Sequence, residues 1–223
     1  MTNTSEGLPA QDFVPSTRDA YDAIAVEYAD EHADWLADRP LDQALVSSFA
    51  DLTREHAPAP VADLGSGPGY VTARLRDLGV PVFGVDLSPR MVEMARRAHP
   101  DLRFHVGSMT SLDLPDGTLG GVVALFSIIH VPDDHLVGLF EEMRRVLVPG
   151  APVLLSFQSG DEDEHVHLTE RYGHEIALDY YMRATGTVTE ALAKAGLTVR
   201  SQTVREPQGE EKWAKTFVVA SRP

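Results

Sequence analysis

Cysteine is absent from the 223 residues, so the chain has no disulfide framework, no thiolate metal site and no cysteine nucleophile. Long apolar runs are absent as well. The longest, Val122 to Ile129 with Ser127 inside it, falls far short of the roughly 20 residues a membrane-spanning helix needs. Positive charge is scarce: 19 Lys and Arg against 34 Asp and Glu leave a formal net charge of -15. Nucleic-acid binders present a basic face because phosphate contacts dominate their affinity. Here only short pairs such as Arg96-Arg97 and Arg144-Arg145 occur. The expected partners therefore exclude nucleic acid and membrane, and the plain meaning of the acidity is solubility. Residues 1–15 carry neither the basic nor the apolar region of a secretory signal, so a cytoplasmic location is expected. Their small polar residues, prolines and glycine read as a disordered N-terminus.

What is present suits a single domain over residues 16–223 with an added cap. Tyr21, Ile24, Ala25 and Tyr28 recur at helical spacing after Ser16 or Thr17, which can cap a helix running to about Ala29. A second helix is expected from Pro40 to Arg54, with Leu41, Leu45, Phe49 and Leu52 on its apolar face. These two helices make a helical cap over residues 16–57. Short apolar runs then alternate with helical periods. Strands are expected at Val61–Leu64, Pro81–Val85, Leu102–Val106, Gly121–Leu125 and Ala151–Phe157. Such a pattern means a doubly wound α/β fold with a mainly parallel sheet covered on both faces. Residues 158–183 break the rhythm and read as a substrate-covering insertion, its Asp161-Glu162-Asp163-Glu164 run a solvated loop. A helix over Thr189–Ala195 and two strands, Leu197–Val204 and Lys215–Ala220, complete the chain.

One stretch organises the rest: Val61-Ala62-Asp63-Leu64-Gly65-Ser66-Gly67-Pro68-Gly69-Tyr70. A strand end meets a glycine turn, and a helix opens at once, so N–H groups and close-approaching backbone face a ligand. The dinucleotide fingerprint would need its third glycine at position 70, where Tyr70 stands. Asp86 follows at the end of the second strand, where a carboxylate can accept hydrogen bonds from a ribose or meet the dipole of the next helix.

D-L-G-S-G-P-G followed by Asp86 resembles motifs I and II of the class I S-adenosylmethionine-dependent methyltransferases. The segment Tyr21-Asp22-Ala23-Ile24-Ala25-Val26-Glu27-Tyr28-Ala29 is similar to one that precedes motif I in many of them. The resemblance implies a Rossmann-like seven-stranded sheet ending in an antiparallel strand pair. It implies S-adenosylmethionine as cofactor. By it, Asp63 faces the methionine amino group, and Gly65, Ser66, Gly67 and Gly69 shape the methionine wall. Asp86 takes the ribose, Leu87 lies against the adenine, and Ser108 or Met109 holds the adenine where the family often has an acid. Phe126 sits at the strand end that touches cofactor and acceptor, and Tyr21 and Tyr28 either close over the pocket or pack in the core. The Pro-Pro-aromatic motif of nucleic-acid and glutamine amino-methyltransferases is missing after that strand. With the acidity, this implies a small-molecule acceptor.

His130 follows the same strand and is the candidate general base, or else a packing residue. His130, His167, Tyr172, Tyr180 and Tyr181 are candidates for the acceptor pocket. His165-x-His167 fits no strong metal spacing, and no metal is expected. The implied reaction is methyl transfer to a small molecule by in-line displacement, releasing S-adenosylhomocysteine. The alternative is a cofactor-binding protein of the same fold without methyl transfer, cyclase-like or regulatory.

Overall fold

A computed structural model describes residues 13–33, 36–37, 39–209 and 211–223. Helices α1 (Phe13–His32) and α2 (Pro40–Thr53) precede the first strand. Then come β1 (Val61–Leu64), α3 (Tyr70–Asp77), β2 (Val82–Asp86), α4 (Pro89–Ala98), β3 (Arg103–Val106) and β4 (Gly121–Leu125). A 3₁₀ turn, Ile128–His130, leads into α5 (Asp133–Val146) and β5 (Pro152–Ser159). The chain closes with β6 (Glu164–Arg171), β7 (His174–Met182), α6 (Thr185–Lys194), β8 (Thr198–Arg205) and β9 (Ala214–Ser221).

Seven strands form one sheet in the order β3-β2-β1-β4-β5-β9-β8. The pairs among β3, β2, β1, β4 and β5 are parallel, and β9 runs antiparallel to both neighbours. Strand order reverses between β1 and β4, which opens a crevice at their carboxyl ends. The unbroken apolar runs follow from burial on both sides. Ala62, Leu64, Val122 and Ala124 pack with α5 and α6, whereas Val61, Val123 and Leu125 pack with α2 and α3. No helix among the described residues is long and apolar enough to cross a membrane.

Two expectations about the covers are corrected. Helix α1 begins at Phe13, whose ring packs against the core, so Phe13–Pro15 are helical. The remainder of the segment expected to be disordered, residues 1–12, lies outside the described residues. Helix α2 is turned away from the expected face: Leu41 and Leu52 are exposed while Asp42, Val46 and Phe49 are buried. The packing face is Val46, Phe49 and Ala50, which join β1, β4 and α3 in the core and carry Asp42 inward, where Arg205 of β8 meets it at 3.3 Å. The segment expected as a substrate-covering insertion, residues 158–183, holds strands. β5 continues to Ser159, and β6 and β7 pair as an antiparallel hairpin around Tyr172-Gly173, both at positive φ. That hairpin packs on α1 and on the Ile128–His130 turn.

Candidate functional site

The glycine turn is built by strand hydrogen bonds. Gly65 and Ser66 both donate backbone N–H to Val85 O, at 2.8 and 3.1 Å, which draws the turn over the end of β2. Gly65 has φ +76° and sits against Ser127, whose Cβ would lie 2.3 Å from an added Cβ. Gly67 has φ +50° and differs in kind: nothing lies within 4 Å of an added Cβ, and the residue borders the crevice. A side chain at Gly67 would fill the crevice itself, so the bare backbone there is the cradle a bound group would occupy.

Asp86 locks onto this turn. Its Oδ2 accepts Gly67 N–H at 2.7 Å and its Oδ1 accepts Ser88 N–H at 2.9 Å. Burial pushes its carboxyl up to about 6, against the pull of those two N–H groups. A carboxylate has about four acceptor positions, so two remain for hydroxyls in the crevice.

Two adjoining cavities share Tyr21, Tyr28, Gly65, Gly67, Leu125 and Phe126 in their walls. The first is bordered by Asp86, Leu87, Ser108, Met109 and His130. The second is bordered by Ser66, Gln158, Arg171, Tyr180 and Lys215. Ser108 Oγ is occupied locally: it lies 2.7 Å from Thr110 Oγ1 and accepts Thr110 N–H at 3.2 Å. Phe126 takes φ +52°, a strained value for an aromatic residue. Its N–H is shared between Ser156 O and Oγ, and its ring meets Phe217 edge-on at 6.1 Å. The strain turns the chain from β4 into the turn that carries His130.

His130 is 6% exposed and uses both ring nitrogens. Nδ1 lies 2.8 Å from Asp179 O, which can only accept, so Nδ1 carries the proton. Nε2 is then the acceptor, and the Tyr21 hydroxyl donates to it at 2.8 Å. Burial lowers the imidazole to about 4. Burial, followed by the neighbouring Tyr180 and Tyr28, raises the Tyr21 phenol well above its usual range. His130 is thus neutral, fully bonded and screened by Tyr21. The candidate base His130 is thereby paired with Tyr21, whose hydroxyl is also hydrogen-bonded to Tyr180.

Several other expected residues lie outside the crevice. Asp63 is 2% exposed and accepts from Thr72 Oγ1 at 2.6 Å behind the turn. Gly69 caps α3, with Phe104 2.7 Å from its added Cβ. His167 points along the hairpin to Asp179 Oδ1 at 2.8 Å, as does His165. Tyr181 stacks on His165 at 4.7 Å, and Tyr172 receives Arg171 Nη2 at 2.9 Å at the hairpin tip. Among the described residues no group of three or more histidines and carboxylates could hold a metal ion. Residues that the sequence did not single out do border the crevice: Arg39, Gln158, Arg171, Glu211 and Lys215. No local spacing marks them, since loops and strands far apart in the chain bring them together.

Asp63 yields a prediction. Burial pushes its carboxyl up to about 7. The folded state then holds the proton more tightly than the unfolded chain, so this group's contribution to stability falls as pH rises from about 4 to about 7. Asp63→Asn keeps an acceptor for Thr72 and has no such slope. Thermal melts of the ligand-free protein should show Asp63→Asn gaining on the wild type as pH rises from about 5 to about 8. A constant difference across that range would refute the assignment.

Comparison with known proteins places these observations. Residues 61–150 match a family model described as a methyltransferase domain. N-demethylindolmycin N-methyltransferase of Streptomyces griseus is 30% identical over 176 residues, 67% of this chain and 73% of that protein. An uncharacterised methyltransferase of Mycobacterium sp. (strain JLS) is 31% identical over 141 residues, 62% of this chain; the match spans 52% of that relative's length. Among solved structures, magnesium protoporphyrin IX methyltransferase of Synechocystis PCC 6803 with bound S-adenosylmethionine superposes with a TM-score of 0.69 at 17% identity, covering 99% of this chain and 100% of that one.

Proposed function

Since the chain belongs to the S-adenosylmethionine-dependent methyltransferase family, we propose that it methylates a small-molecule acceptor in the crevice between α1, the β6–β7 hairpin and the carboxyl edge of the sheet. The observation that carries this reading is the Asp86–Gly67 hydrogen bond, which fixes a ribose-binding carboxylate to the glycine cradle on the wall of one crevice. Asp86 would hold the ribose hydroxyls, Gly65 to Gly67 the methionine portion, and Leu87 and Met109 the adenine. Asp63 would stiffen the turn from behind without touching the cofactor. The bound cofactor supplies a methyl group already activated on a sulfonium.

The protein's own task is placement and proton handling. Tyr28 and Phe126 border both cavities. The Tyr21 oxygen can accept a hydrogen bond from the acceptor's O–H or N–H and orient that atom. As positive charge develops on the acceptor, its proton passes to Tyr21, and the Tyr21 proton passes to His130 Nε2. Asp179 O holds the Nδ1–H throughout and offsets part of the burial cost of the resulting imidazolium. A net charge of -15 supports an acceptor other than a polyanion such as nucleic acid.

Calorimetric titration with S-adenosylmethionine, S-adenosylhomocysteine and NAD tests the cofactor assignment; binding of NAD alone would refute it. An acceptor screen read as S-adenosylhomocysteine release follows. With an acceptor in hand, Tyr21→Phe should lower turnover by about 100-fold while cofactor affinity stays within about threefold. Unchanged turnover would remove Tyr21 from the proton path.

A further inference from the structure

Lys215 stands at the start of β9, paired in register with Gln158 of β5 at the carboxyl edge of the sheet. It is only 8% exposed and borders the second cavity. Its ammonium makes no hydrogen bond or ion pair with a described residue; the contact it has is the Phe126 ring, 5.9 Å from Nζ. A buried ammonium without a counter-ion is costly, and the chain has 34 carboxylate side chains from which one could be drawn. The carboxylate of the same cavity, Glu211, is committed elsewhere, to Arg205 at 2.8 and 3.0 Å and to Arg39. Arg171 is likewise engaged, with the hydroxyls of Tyr180 and Tyr172 and with Glu31 at 3.6 Å. Beside Lys215, the Gln158 side-chain oxygen is buried without a partner. An acidic protein has thus gathered three cations and one carboxylate around this cavity and left one cation without a bonded partner.

Lys215 shares its cavity with Gly65, Ser66 and Gly67 of the glycine turn, but its strand is set apart from theirs. Strands lie about 4.8 Å apart, and β9 is third from β1 across β4 and β5. The Lys215 backbone therefore sits roughly 14 Å from the strand that feeds the glycine turn, on the far side of the Phe126 strand end. We propose that the methyl acceptor carries an anionic group, a carboxylate or a phosphoryl group, and that Lys215 and Gln158 bind it. This rests on the methyl-transfer reading above. Lys215 Nζ supplies the counter-charge. With the anion bound, Gln158 Oε1 would take one ammonium hydrogen and Gln158 Nε2 would donate to the anion. The acceptor's reacting atom is then held toward Tyr21, across the cavity that both residues border.

The test uses the full chain saturated with S-adenosylhomocysteine, titrated with benzoate, phenyl phosphate and neutral benzamide. At least one anion should bind the wild type and bind Lys215→Met at least about tenfold more weakly. Benzamide affinity and S-adenosylhomocysteine affinity should change by less than about threefold. Benzoate alone would assign a carboxylate, and phenyl phosphate alone a phosphoryl group. Should Lys215→Met fail to fold, Gln158→Leu is expected to weaken the same anion. Absence of anion binding to the wild type, or equal binding to both proteins, overturns the proposal. A parallel loss of S-adenosylhomocysteine also overturns it and moves Lys215 to the cofactor carboxylate. If S-adenosylhomocysteine does not bind the wild type, the methyl-transfer reading fails by itself, and the anion titrations of the ligand-free proteins still decide whether Lys215 holds an anion.

Discussion

Gly67→Ala is expected to abolish measurable S-adenosylmethionine binding, a loss of about 100-fold or more, in a protein that still folds. Gly65→Ala is expected to lose the cofactor because the turn itself gives way. The two glycines are two residues apart and both have positive φ, yet their surroundings oppose each other. At Gly67 the new methyl meets no atom within 4 Å, so the folded protein bears only the backbone cost, about 1 kcal/mol for a left-handed alanine. The empty space it enters is the crevice, and a methyl there competes with the ligand. At Gly65 the methyl would lie 2.3 Å from Ser127 Cβ, far inside contact distance. Ser127 cannot step aside freely, because its Oγ donates to Leu64 O at 2.8 Å and ties the end of β4 to the end of β1. Relief requires moving the chain that leads to His130, at a stability cost of about 3 kcal/mol. Paired melting curves and cofactor titrations separate the cases. Wild-type affinity in Gly67→Ala would show that the crevice beside that residue is not the cofactor site.

The same contrast shows what a sequence can and cannot reveal about such a site. Glycines 65, 67 and 69 with Asp86 specified a strand, a turn, a helix start and the end of the next strand, because each needs particular local geometry. Which member faces the ligand is a different matter. Asp63 is fixed on the reverse of the turn by Thr72, and Gly69 by the Phe104 ring; neither partner is adjacent in the chain. The β6–β7 hairpin had a legible signature in the alternation of His165, Val166, His167 and Leu168 and in the Tyr172-Gly173 turn. Its polar outer face made the segment read simply as an insertion. The rotation of α2 was hidden for the converse reason, since a buried Asp42 cannot be anticipated without knowing that Arg205 waits for it. The Tyr21–His130 bond joins residues 109 positions apart, and no spacing rule reaches that far. Lys215 was legible only as one residue of a strand, because its meaning lies in what it lacks around it.

Arg183→Met should destabilise the protein by about 3 kcal/mol and lower its turnover more than the loss of stability alone accounts for. Arg183 follows β7 directly and is 1% exposed. Its guanidinium donates to Ile128 O at 3.1 Å, to Val131 O, and to Asp133 Oδ1 at 2.8 Å, and it lies 5.1 Å from the centre of the Tyr181 ring. Ile128 and Val131 bracket the turn that carries His130, and Asp179 of the same β7 holds His130 Nδ1. One side chain thus clamps the hairpin and the histidine turn together, and the hairpin in turn fixes which His130 nitrogen carries the proton. Methionine replaces the volume and takes the guanidinium from the buried Val131 carbonyl, while Ile128 O keeps the Val131 N–H at 3.1 Å. For a chain of this size the loss corresponds to a melting temperature lower by about 6–12 °C. Arg183→Lys should rescue little, because a single ammonium cannot serve three acceptors arranged for a planar fork. Asp133→Asn should be mild, within about 0.5 kcal/mol, because that carboxylate is 59% exposed. Far below the melting point, cofactor affinity of Arg183→Met should hold while turnover falls, since Asp86 and the glycine cradle lie on other strands. Turnover equal to the wild type in a clearly less stable Arg183→Met would show that the placement of His130 does not govern the reaction, and would withdraw the Tyr21–His130 proton path with it.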